Sequence, residues 1–197
     1  MPRRGAPRWK GGWLKCARQC PSPNFGPRPP ASVVDLVIVH SISLPPGEYG
    51  GDSIERFFTN RLDWDAHPHF AQIRHLAVSA HFLIRRDGEL LQFVSCQTRA
   101  WHAGESRWRG RSDCNDNSVG IELEGLEGDT FEVAQYTALS SLIAELGRYY
   151  PIAAVAGHEH VAPGRKHDPG SGFDWVRLRG LLAAQAQEFP EVVVGLD

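Results

Sequence analysis

A single chain of 197 residues with 42% hydrophobic content is long enough for one domain with a packed core. Its net charge of −2 carries no global mark of a nucleic-acid partner, and no run approaches the roughly 18 apolar residues of a membrane span. Cys16, Cys20, Cys96 and Cys114 are too few and too scattered for a disulfide scaffold, and Cys16 and Cys20 lack the second pair that a zinc knuckle needs.

In chain order, residues 1–30 come first, with Arg3, Arg4, Arg8, Lys10, Lys15, Arg18 and Arg28 and no acid. They read as a solvated basic segment rather than a binding arm. No apolar run of signal-peptide length follows Arg3-Arg4, so the cytoplasm is the expected compartment. Residues 21–32 are proline-rich and predict an extended lead-in, because proline fixes φ and removes a donor.

Val33-Val34-Asp35-Leu36-Val37-Ile38-Val39-His40 is short, β-branched and nearly all apolar, which predicts a strand buried on both faces with Leu36, Ile38 and His40 on one side. Asp52 and Glu55 suggest the N-cap pair of a short helix bearing Ile54, Phe57 and Phe58 on one face. Residues 80–94 predict a hairpin turning at Asp87-Gly88. Residues 118–124 predict a strand with Val119, Ile121 and Leu123 on one face and Gly120, Glu122 and Glu124 on the other.

A long helix is expected from Val133, with Tyr136, Leu139, Ile143, Leu146 and Tyr150 in one stripe until Pro151 stops it. Residues 152–157 predict another buried strand, 162–170 a turn-rich loop, and 173 to about 189 a second helix with Trp175, Leu178, Leu181 and Leu182 inward. The interleaving predicts an α/β protein built on one central mixed sheet of about five or six strands flanked by helices. The expected divisions are a basic, proline-rich extension over 1–32, a catalytic domain over 33–190 and a tail over 191–197.

His40 ends the first strand, His158 follows the last, and Asp168 sits in the loop beyond, so two strand ends and a loop could bring them together. Three protein ligands with one open position suit a hydrolytic metal site. On the residues alone, a satisfied core imidazole is an equal reading for each histidine. His160 shares the strand parity of His158, and His167 adjoins Asp168, so both are rival ligands. His67-Pro68-His69 is compact but has no third ligand nearby, and His75, His81 and His102 read as structural or groove-lining.

The segments VIVHSISLPPGEYGG, VSAHFLIRRDGELLQFV, AWHAG, CNDNSVGIELEG and AGHEHVAPGRKHDPG resemble, in the same order, the zinc-dependent N-acetylmuramoyl-L-alanine amidases. The resemblance spans roughly residues 12–180 and implies the fold of that family. It also implies zinc on His40, His158 and Asp168, Glu122 as general base and then acid, and Lys166 as the oxyanion-stabilising cation. Glu124 is the rival to Glu122 on the same strand face. His69 stands where relatives often carry an aromatic residue, and Ala77 and Asp113 where some carry arginines, which bears on peptide preference.

The implied activity is cleavage between (1,6-anhydro-)N-acetylmuramic acid and L-alanine of small muropeptides, by a monomer in cytoplasmic wall recycling with no nucleic-acid or membrane partner. A peptidoglycan receptor that binds without cutting, or an autolysin acting on polymeric wall, are the other readings of the same resemblance. A complete ligand set argues against the first. The expected lack of an export signal and of wall-binding repeats argues against the second.

Overall fold

The computed structural model describes residues 8–184 and 191–192. Its sheet strands are β1 (Arg18–Gln19), β2 (Leu36–Ile42), β3 (Phe82–Ile84), β4 (Leu90–Gln92), β5 (Ser118–Glu124), β6 (Ala154–Gly157) and β7 (Glu191–Val192). They lie in the order β7-β6-β2-β5-β3-β4-β1. β3 and β4 pair antiparallel and every other neighbouring pair is parallel. The sheet is therefore mixed, as expected, and its two-residue edges β1 and β7 make it seven strands wide.

The central pair explains itself from composition. β2 and β5 lie side by side over all seven residues of each, from Leu36 opposite Ser118 to Ile42 opposite Glu124. Val37, Val39, Val119, Ile121 and Leu123 are almost wholly buried on one face. Each such side chain stabilises the fold by about 1.5–3 kcal/mol. That face packs against α3 (Val133–Leu146) and α5 (Trp175–Ala183) through Tyr136, Leu139, Ile143, Leu178 and Leu182. The opposite face, which carries Leu36, Ile38, His40, Glu122 and Leu83, is covered by α1 (Ser53–Phe58), α2 (Pro68–Ile73) and the loop around Ala103 and Cys114. The short helix α4 (His158–Val161) follows β6 directly.

Several boundaries differ from the sequence reading, each for a local reason. The first strand starts at Leu36 and runs past His40 to Ile42. Val33 is 49% exposed, and Asp35 is tied instead to Arg111. Asp52 does stand at the N-cap of α1, but its carboxylate accepts from Arg56 and makes no cap bond, while Glu55 pairs with Arg18 and Arg85. The hairpin forms around Gly88, whose φ of 89° is a conformation that favours glycine. α3 ends at Leu146, with Gly147 as C-cap, before Pro151 is reached. α5 opens on Asp174, which accepts from the Arg177 N–H, and the far end of the expected helix, residues 185–189, lies outside the described residues.

Residues 8–32 keep Arg8, Lys10, Lys15 and Arg18 exposed, as a solvated segment would, but are also tethered to the fold. The Leu14 N–H donates to Gln92 at 2.7 Å, and Arg18–Gln19 adds the edge strand β1. Arg28 donates to the backbone carbonyls of Cys96, Asn115, Asp116 and Ser118 at 2.8–3.3 Å. A count of charges misses this, because a guanidinium with five donors is an efficient partner for buried carbonyls that strand ends leave unpaired. Glu191–Val192, expected in a tail, pair with β6.

Candidate metal centre

His40 enters the site from β2, where strand alternation sends it to the face away from α3. His158 arrives differently. β6 ends at Gly157 and the chain turns at once into α4, so His158 opens a helix and the strand parity expected to link it with His160 does not exist. The turn depends on Gly157 being glycine, because a Cβ there would meet Pro169 Cδ at 2.9 Å and His160 Nδ1 at 3.0 Å. That close approach seats the 162–170 loop on the strand end, where the Asp168 carbonyl accepts from the Glu159 N–H at 2.9 Å.

The three side chains converge. His40 Nδ1 and His158 Nδ1 lie 3.0 Å apart, and each is 3.1 Å from Asp168 Oδ2. His40 and His158 are buried to within a few per cent, and Asp168 is 13% exposed. His158 Nε2 faces the Ala103 carbonyl at 3.0 Å and so donates to it, while His40 Nε2 lies 2.9 Å from His102 Nδ1. Because Ser118 Oγ donates to the Cys114 carbonyl, it can only accept from His102 Nε2, which leaves His102 Nδ1 to accept from His40. A neutral imidazole that donates from Nε2 has a bare Nδ1. Burial first, then the neighbouring His158, lowers the His40 pKa to about 4, which keeps it neutral.

Two nitrogen lone pairs and a carboxylate oxygen therefore meet with no proton to share between the rings. Such a trio calls for a cation. The ligand atoms around a tetrahedral zinc at about 2.0–2.1 Å stand about 3.3 Å apart, close to the triangle seen here, and a nitrogen–carboxylate donor set suits that metal. Among the described residues these three form the one group of at least three such side chains placed to hold a metal ion.

The rival histidines are otherwise engaged. His160 Nδ1 accepts from the Gly157 N–H at 2.8 Å and its ring packs on Trp175. His67 caps α2 by accepting from the His69 N–H at 3.1 Å, with Pro68 at the first helical position. That helix was not foreseen, although a capping residue followed by proline is a start signal. His75 and His167 are exposed. His81 is a core imidazole, accepting from the Gly120 N–H and donating to the Thr98 carbonyl, and burial lowers its pKa to about 3.

Glu122 and Lys166 border the trio. Glu122 stands opposite His40 in the β2–β5 register, and both line a cavity of about 230 Å³ with His158, Lys166 and Asp168. The Glu122 Oε2 atom is buried without a hydrogen-bond partner. Burial, then the charge of Asp168, pushes the Glu122 carboxyl well above its ordinary range, against a smaller pull from Lys166. Glu124 differs sharply. It accepts from Arg85 Nη1 and from the Gly50 N–H, each at 2.7 Å, and so is satisfied by its neighbours. Lys166 is exposed at the cavity rim.

Residues 30–171 match the family described as N-acetylmuramoyl-L-alanine amidase. The chain is 51% identical over 179 residues to the 1,6-anhydro-N-acetylmuramyl-L-alanine amidase AmpD of Salmonella typhimurium (strain SL1344), covering 90% of this chain and 96% of that protein. A crystal structure of a selenomethionine derivative of AmpD superposes with a TM-score of 0.86 at 51% identity, over 88% of this chain and 98% of that one. The Escherichia coli amidase AmiD, solved in complex with the substrate anhydro-N-acetylmuramic acid-L-Ala-D-gamma-Glu-L-Lys, superposes with a TM-score of 0.55 at 28% identity, over 78% of this chain and 60% of that one. By family match, by sequence identity and by shared fold, this chain belongs to the N-acetylmuramoyl-L-alanine amidases.

Proposed function

We propose that this amidase is a zinc enzyme that hydrolyses the amide between the lactyl group of 1,6-anhydro-N-acetylmuramic acid and L-alanine in small muropeptides, as a step of cytoplasmic wall recycling. The observation that carries the reading is the meeting of two imidazole nitrogens and a carboxylate oxygen, at 3.0–3.1 Å from one another, beside the buried Glu122 Oε2 atom that has no hydrogen-bond partner. The anhydro-muropeptide preference is supported by the relatives, since proteins about half identical over nearly their whole length are 1,6-anhydro-N-acetylmuramyl-L-alanine amidases. Four free cysteines accord with a reducing compartment.

Bound zinc would polarise a carbonyl and bring the pKa of water toward ~7. The rest of the chemistry falls to the side chains. Glu122 accepts a proton from the water as its oxygen bonds to the carbonyl carbon, and returns it to the alanine nitrogen as the C–N bond breaks. A carboxyl raised above its ordinary pKa by burial suits both duties, since a proton carrier works best with a pKa near the operating pH. Lys166, at the rim of the same cavity, offers positive charge to the oxygen that gains negative charge as the carbonyl is attacked. Phe57, Leu76, Val78 and Trp101 supply an apolar wall that limits water.

Zinc content of protein purified without added metal, combined with an assay on anhydro-muramyl peptide, tests metal and substrate together. The reading expects about one zinc per chain and release of the L-alanine-led peptide. Metal-loaded protein that releases nothing from this substrate would overturn it.

A further inference from the structure

Two consecutive residues of the 101–104 loop hold both histidines of the metal trio. Residue 102 offers its ring Nδ1 to His40 Nε2 at 2.9 Å, and residue 103 offers its carbonyl to His158 Nε2 at 3.0 Å. The loop is itself fixed, because Asn115 Oδ1 accepts from the His102 N–H at 3.1 Å and the Ala103 N–H at 2.8 Å. Asn115 is 5% exposed. One amide oxygen thus sets the position of the acceptors for both ligands.

The tautomer of His102 is fixed from its other side. Its Nε2 lies 3.3 Å from Ser118 Oγ, and that hydroxyl donates to the Cys114 carbonyl at 2.6 Å. With its proton given to Cys114, the hydroxyl can only accept from His102, so His102 carries its proton on Nε2 and has a bare Nδ1. The chain of donors runs in one direction from His40 through His102 and Ser118 to the Cys114 carbonyl. The His102 ring also has a seat cut for it. A Cβ on Gly120 would lie 2.4 Å from His102 Cγ, so only glycine at that point of a buried strand leaves the ring in place.

We infer that His102 is a positioning residue whose Nδ1, by accepting the Nε2 proton of His40, holds His40 in the tautomer and orientation that aim its bare Nδ1 at the metal. The inference rests on the metal reading above. A ligand histidine usually donates its far nitrogen to a carboxylate, a carbonyl or water, and loss of such a partner typically weakens metal binding about 10–100-fold. Here the partner is a second imidazole, which can accept only in one of its two neutral tautomers. Ser118, Gly120 and Asn115 each act to secure that one arrangement.

The test uses the full chain and reads zinc affinity by competition with a chelator, in the parent protein and in His102→Phe and His102→Asn. Phenylalanine keeps a ring over Gly120 and removes the acceptor. Asparagine places its Oδ1 near the position of the imidazole Nδ1, so it can still accept from His40. The expected result is a zinc dissociation constant raised about 10–100-fold in His102→Phe and largely restored in His102→Asn. Parental affinity in a folded His102→Phe would overturn the role assigned to His102 and leave the metal site standing. Failure of the parent chain to take up zinc would overturn the metal reading and this one with it. Should His102→Phe not fold, imidazole ¹⁵N spectra of the zinc-loaded parent decide the matter. Protons on Nε2 of both His40 and His102 are expected, and a proton on His102 Nδ1 would overturn the inference.

Discussion

His40 and Glu122 occupy opposed positions on adjacent parallel strands, so their side chains leave the same face of the sheet as neighbours. Parallel strands lie roughly 4.8 Å apart, which puts the His40 imidazole and a buried carboxyl side by side without any help from a loop. Only Asp168 and Lys166 come from irregular chain, and Gly157 makes that loop's close approach possible. Replacing His40, His158 or Asp168 by alanine should each abolish zinc retention against a chelator and bring hydrolysis to background. Zinc measured at full occupancy in purified His158→Ala would show that another residue is the ligand.

The two glutamates of β5 separate by environment. Glu122→Gln should retain zinc and lower kcat by about 10²–10⁴, the usual worth of a proton carrier. Glu124→Gln should leave kcat within a few-fold, because that carboxylate is engaged with Arg85 and Gly50. Its effect should fall on stability, by about 1–3 kcal/mol, as the buried Arg85 loses one of its two charged partners and keeps Glu55. Steady-state kinetics and urea unfolding of both variants check the split, and a reversed order would reassign the proton carrier.

The raised pKa of Glu122 has a pH signature in metal-free protein. The unfolded chain ionises this group near about pH 4.3, whereas the folded protein keeps its proton to higher pH. Folding therefore binds a proton in that window, and the Glu122 contribution lowers stability as pH rises through it. Glu122→Gln removes the effect. Its stability advantage over the parent should be absent below the unfolded pKa, grow as pH rises through the window, and level off above the folded pKa. Urea titrations from about pH 4 to about pH 8 would show this, and a difference that stays constant would place the carboxyl in the ordinary range.

Lys166→Ala should keep zinc and lower kcat by about 10²–10³, the loss expected when a group facing a developing oxyanion is removed. A rise in KM alone, with kcat unchanged, would make Lys166 a contact to bound substrate and not to the transition state.

The strands that build the site were legible because β2 and β6 are apolar runs and β5 alternates apolar with polar residues. β5 begins and ends where alternation and composition place it, and the Gly88 turn follows from its Asp-Gly pair. What escaped was set by contacts distant in sequence. Nothing near Arg28 announces that it will cap four carbonyls from residues 96–118, and a basic segment therefore reads as solvated. The choice between Glu122 and Glu124 turns on Arg85 and Gly50, which reach only one of them. His158 could be placed at the end of β6, but the helix that begins there, and with it the engagement of His160, depends on Pro169 filling the space beside Gly157. The link from His102 to His40 had one visible trace, a glycine in the middle of a buried strand.

The account stands or falls on whether the trio of His40, His158 and Asp168 serves hydrolysis through a metal. Release of the L-alanine-led peptide from anhydro-muramyl peptide should be followed with the protein as purified, after exhaustive chelation, and after zinc is returned. Activity is expected to vanish on chelation and to recover with about one equivalent of zinc per chain, in step with occupancy of a single site. Undiminished release by protein shown to be free of metal would contradict the account.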